Sequence, residues 1–92
     1  MSLADIRATV LRTVDDLDVT QQAIGILLLA IEESHAQMVE LEAESTSIPL
    51  AAGNESLVAI QNVLIDAVGY AEDAKMSYNG YLRGLGLPGS GS

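Results

Sequence analysis

The sequence predicts an all-α chain, an antiparallel two-helix hairpin that associates into a four-helix bundle. Three observations predict it. Apolar residues recur every seven positions, at Leu3, Val10, Leu17, Ile24, Ile31 and Met38, and again at Leu57, Leu64, Ala71 and Tyr78. That is the spacing of a left-handed helix-packing seam. A single Pro- and Gly-containing break, Ile48-Pro49 with Gly53-Asn54, separates the two runs. The composition, 49% hydrophobic and 18% charged with a mean hydropathy of +0.30, is dominated by Ala, Leu, Ile and Val. Such a chain is not a disordered polar segment, and it suits aliphatic helical layers. Its 92 residues make one small domain, expected over residues 1–85.

Ser2 is a good N-cap, and Asp5 suits the positive end of a helix dipole. The first helix is expected from about residue 3 to about residue 44. Alongside its main repeat, the position three residues on is mixed: Ile6, Thr13, Thr20, Leu27, Ser34 and Leu41. The position four residues on adds Val14 and Leu28. Asp15, Asp16 and Asp18 are poor helix formers around Leu17, which allows a kink or local fraying there; the simpler reading is a solvated charged face. The most apolar stretch, residues 23–31, is too short to cross a bilayer, which needs about 20 residues. It reads as a buried helix centre.

Pro49 forbids an uninterrupted helix and biases Ile48 to an extended shape. Gly53-Asn54 supplies a turn and an N-cap, so the connection is expected over about residues 45–54. The second helix is then expected over about residues 55–82, with Ile60, Ala67, Ala74 and Tyr81 supporting its repeat. A second stripe of Ala59, Val63 and Tyr70 lies about 120° away. Residues 86–92, which include Gly89-Ser90-Gly91-Ser92, read as a flexible Gly/Ser tail. Folding back at about residue 49 sets Ile31 near Val68 and Ile24 near Lys75 or Ala74.

Two helices enclose no interior, and domains this small are marginal alone. Ile24, Leu27, Leu28 and Ile31 are assigned to the seam within the chain, which leaves Ile26, Leu29, Ala30, Val63 and Tyr70 as the expected intermolecular face. The expected partner is a protein: a second copy, a related hairpin or a larger toxin. Thr13, Thr20 and Ser34 either set the register of that assembly or lie at its rim.

A net charge of −9 repels phosphate backbones and anionic membranes, so neither nucleic-acid binding nor membrane insertion is expected. The absence of Cys excludes a disulfide framework and leaves the redox compartment open. No cleavable signal peptide is visible at residues 1–5, so the chain is expected in the cytoplasm or exported without such a signal.

No motif names a reaction, and no catalytic residue or cofactor is assigned. Glu32-Glu33-Ser34-His35 contains the Glu-x-x-His spacing of carboxylate di-iron helices, and Asp66 is expected near Glu32 on the return. The simpler reading is a half-exposed His beside the seam, with no metal. Tyr70, Tyr78 and Tyr81 read as core residues with hydroxyls at the rim, the last two forming a partner contact near the chain end.

In outline, residues 2–85 resemble the WXG-type helical hairpins of bacterial type VII secretion. Those are acidic, cysteine-free two-helix chains that lack a cleavable signal and pair into four-helix dimers, many encoded beside large toxins. The turn here, Ile48-Pro49-Leu50-Ala51-Ala52-Gly53-Asn54, has no Trp-x-Gly. The family's export signal has Asp or Glu four positions after a Tyr; four positions after Tyr70, Tyr78 and Tyr81 stand Ala74, Leu82 and Leu85. The resemblance is one of architecture, and it transfers no functional residue. It implies a non-enzymatic, secretion-associated or toxin-associated partner acting by helix pairing. The alternatives are a homodimeric four-helix scaffold without an export role and a small ferritin-like metal protein using Glu32 and His35.

Overall fold

A computed structural model describes residues 1–89. It contains two α-helices, α1 (Leu3–Ala43) and α2 (Ile48–Gly84), and no strand among the described residues. The helices pack as a hairpin. Both termini of α1 fall within a residue of expectation. Ser2 and Asp5 form a reciprocal cap: the Asp5 amide donates to Ser2 Oγ at 3.1 Å, and the Ser2 amide donates to Asp5 Oδ2 at 3.3 Å.

The connection is shorter than expected, only residues 44–47. Pro49 does not end a loop; it lies in the first turn of α2, where a helix needs no amide donor. Ser47 precedes that turn, and the Leu50 amide donates to its Oγ at 3.4 Å. Gly53 and Asn54 are consequently interior to α2, neither turn nor cap. Shortening the loop also changes which residues meet. Val68 receives Gln21, not Ile31, and Lys75 meets Asp18, not Ile24.

The chain divides into two compact units. One joins the start of α1 to the end of α2, through residue 22 and from residue 68 onward. Its fully buried side chains are Val14 and Leu82, with Ala71 also buried. The inward positions on α1 are Arg7, Val10, Val14, Leu17 and Gln21, spaced alternately three and four. On α2 they are Val68, Ala71, Lys75, Tyr78 and Leu82, with Tyr78 still exposed at its rim.

α2 ends in a Schellman cap around Gly86, whose φ is +76°. The Leu87 amide donates to Leu82 O at 2.9 Å and the Gly86 amide to Arg83 O at 2.9 Å. Arg7 Nε then donates to Pro88 O at 3.1 Å. The beginning of the expected flexible tail is therefore held against the hairpin, because a left-handed glycine turns the chain back. The rest of that tail, residues 90–92, lies outside the described residues.

The other unit, Ala23–Ala67, holds the turn. Its inward positions keep the same alternation: Ile24, Leu28, Ile31, His35, Met38 and Glu42 on α1, and Leu50, Asn54, Leu57, Gln61 and Leu64 on α2. In both units the seam's second row lies four residues beyond the first, not three. Leu27, which expectation placed in the seam, is accordingly 52% exposed, while Leu28 is partly buried. Asn54 is the one buried polar residue among those described; its Nδ2 donates to Met38 O and to Glu42 Oε2, each at 3.2 Å.

Candidate interaction surface

A third of the inner seam is polar: Arg7 lies in it near the chain start. Gln21, His35, Glu42, Asn54, Gln61 and Lys75 occupy inward positions that an aliphatic bundle would fill with Leu or Ile. None of their buried polar atoms lacks a partner among the described residues. Much of the aliphatic content also lies outside the seam. The buried hydrophobic residues are Val14, Ile24, Ala71 and Leu82, against nineteen large hydrophobics in the exposed class. Even with the partly buried seam residues such as Leu17, Leu28, Leu57 and Leu64, the hairpin leaves much apolar surface uncovered.

The proposed face residues are indeed outward: Ile26 is 70%, Leu29 68%, Val63 65% and Tyr70 73% exposed. Ala30 is exposed as well. They do not form one face. Residues immediately before an inward position lie along one flank of a helical hairpin, and residues immediately after it lie along the other. Within the turn-bearing unit, Ala30 and Val63 share the preceding flank, Leu29 lies on the following flank, and Ile26 points outermost. Tyr70 belongs to the other unit. Its exposure also corrects the expectation that it is core, because the four-residue second row turns α2 so that Tyr70 faces out.

Electrostatics concentrate at one cluster in the terminal unit. Lys75 Nζ sits 2.6 Å from Asp18 Oδ1 and 3.0 Å from Glu72 Oε2, and Gln21 Nε2 donates to Glu72 Oε2 at 3.1 Å. Its hydrogen bonds to Asp18 and then Glu72 raise the Lys75 pKa above its ordinary value. The hydrogen bond from Gln21, followed by that from Lys75, lowers the Glu72 pKa. Asp18 is thus a structural partner, not part of a freely solvated face, and α1 runs through Asp15, Asp16 and Asp18 without a break. The cluster ties α1 to α2 within the terminal unit.

His35 lies at an inward position and is half-buried, while Glu32 is exposed on the following flank. Asp66 is exposed at the outermost position of α2 and does not complete a site with them. No group of three His, Asp or Glu residues that could hold a metal forms among the described residues. Thr20 is exposed, and its hydroxyl donates to Asp16 O in its own helix at 2.8 Å, so within the chain it sets no register.

By length and composition α2 could cross a bilayer, with an 18-residue window of mean hydropathy 1.2 of which 6% is buried. This is a second measure of the same uncovered apolar surface.

No protein-family model, curated protein or solved structure matches this chain. The likeness to WXG-type hairpins therefore rests on the two-helix architecture alone.

Proposed function

We propose that this protein is a non-enzymatic helical hairpin that works by pairing its outer apolar faces with another helical protein, in a secretion-associated or toxin-associated role. The observation that carries the pairing is the apolar surface left uncovered among the described residues: nineteen exposed large hydrophobics against four buried hydrophobic residues. Contiguous exposed apolar surface marks interaction sites in soluble proteins. The assigned role rests on architectural resemblance to small acidic hairpins that accompany larger secreted proteins. The apolar run of α2 is read as protein-facing surface because Glu55, Asn54 and Gln61 interrupt it, and a bilayer core penalises each.

A photo-crosslinking residue placed at Ile26 or at Val63 in the intact chain, inside the host cell, tests this reading. The expected result is a discrete crosslinked species containing a secreted or toxin-like protein. Crosslinks to the chain itself alone favour the scaffold reading without an export role. An absence of crosslinked protein at both positions refutes pairing through these faces.

A further inference from the structure

Resting on that pairing function, we propose that the first occupant of the apolar surface is a second copy of this chain. It docks on the preceding flank of the turn-bearing unit, around Leu27, Ala30, Leu41, Ile60, Val63 and Ala67. Two observations single out this flank and this occupant.

The first is charge. None of the residues immediately before an inward position between 23 and 67 is charged, whereas the opposite flank carries Glu32 and Glu55 and the outermost row carries Glu33, Glu40 and Asp66. A chain of net charge −9 meets strong repulsion from its own copy wherever carboxylates face one another. Only a charge-free flank lets like meet like, with the carboxylates turned toward solvent. A basic partner would gain nothing from this flank and would be drawn to the acidic one.

The second is area. The chain exposes 6332 Å². A compact monomer of 9.6 kDa exposes about 5,100 Å². The surplus of about 1,200 Å² suits one standard interface, which takes about 800 Å² from each partner. Leu27, Leu41, Ile60 and Val63 alternate on the flank with Ala30, Ser34, Gly53 and Ala67, so protruding side chains of one copy find recesses in the other. A two-fold axis satisfies both copies with the same patch.

The test uses the full chain and its oligomeric state by sedimentation velocity at micromolar concentration, with helix content followed by circular dichroism. Wild type is expected to be a dimer. Leu27→Glu and Ile60→Glu are expected to weaken dimerisation by at least about 100-fold, because each sets a carboxylate against apolar surface. Val39→Glu and Ile65→Glu, on the opposite flank, are expected to leave the dimer intact. Mixing the L27E/I60E double variant with L27K/I60K should restore a dimer, which separates loss of docking from loss of folding. Dimers that survive Leu27→Glu and Ile60→Glu overturn the choice of flank. A monomeric, fully helical wild type overturns self-pairing. If the photo-crosslinks at Ile26 or Val63 then reach a different protein, the pairing function stands without it; if they reach nothing, both fall.

Discussion

Replacing Asn54 with Ala removes the one buried polar side chain of the seam and leaves two acceptors on α1 without its amide. The two lost bonds differ in consequence. Met38 O is a helix carbonyl, so its bond to Asn54 is an addition worth about 0.5–1.5 kcal/mol. Glu42 Oε2 is a partly buried carboxylate, and a hydrogen bond to a charged group contributes about 1.5–3 kcal/mol. Water reaches Glu42 and recovers part of that, which places the net loss at about 2 kcal/mol. For a chain of this size such a loss lowers Tm by about 8–16 °C. Thermal unfolding followed at 222 nm, with wild type and variant at one matched concentration, measures it. Matching matters because association makes Tm depend on concentration. Asn54→Leu separates the two roles of the side chain. It exchanges the same hydrogen bonds for burial worth about 1.5–3 kcal/mol, so its stability should stay near wild type while the pairing of α1 with α2 loses its unique register. An Asn54→Ala variant within about 0.5 kcal/mol of wild type would refute the claim that this amide fixes the turn-proximal packing.

Gly86→Ala should destabilise the hairpin by about 1 kcal/mol, since φ of +76° is costly for an L side chain; an unchanged Tm would show that the cap is dispensable. Gly69 is interior to α2 and a Cβ there meets nothing within 4 Å, so Gly69→Ala should stabilise by about 0.5–1 kcal/mol in chemical denaturation. A loss in its place would reveal a close approach by another molecule. The lowered pKa of Glu72 makes a pH-dependent contribution. The folded value is below the unfolded 4.5, so the stabilisation is complete above 4.5 and disappears as pH falls through the lower folded-state value. The stability difference between wild type and Glu72→Gln should therefore shrink below pH 4.5, and a difference independent of pH would remove the linkage.

The two helices and their seven-residue repeat were legible in the residues because Val10, Leu17, Ile24 and Ile31, like Leu57, Leu64 and Ala71, are aliphatic and face inward in both readings. The second row of the seam was hidden because most of it is polar. Reading for hydrophobicity favours Leu27, Ile60 and Tyr81 at a spacing of three, while packing uses Gln21, Asn54, Gln61 and Lys75 at a spacing of four. Nothing in the residue types announces that a Lys will turn inward; a paired Asp18 on the facing helix, with Glu72 beside it, makes that position tolerable. Pro49 misled for a related reason: it marks the edge of a helix, but residue type alone does not say which edge. The exposed character of Ile26, Leu29 and Val63 was legible because they lie off the main repeat. Their division between flanks depended on the hidden row.

The partly polar seam bears on how much of this protein a cell can keep. A hairpin that gains little by closing on itself spends more of its time open when alone, and open chains are the ones proteases cut. Every partner that covers the outer aliphatics closes the chain by mass action. On the pairing proposed above, chains left without a second copy or another partner are the ones cleared, so the pool depends on how much of the chain is paired.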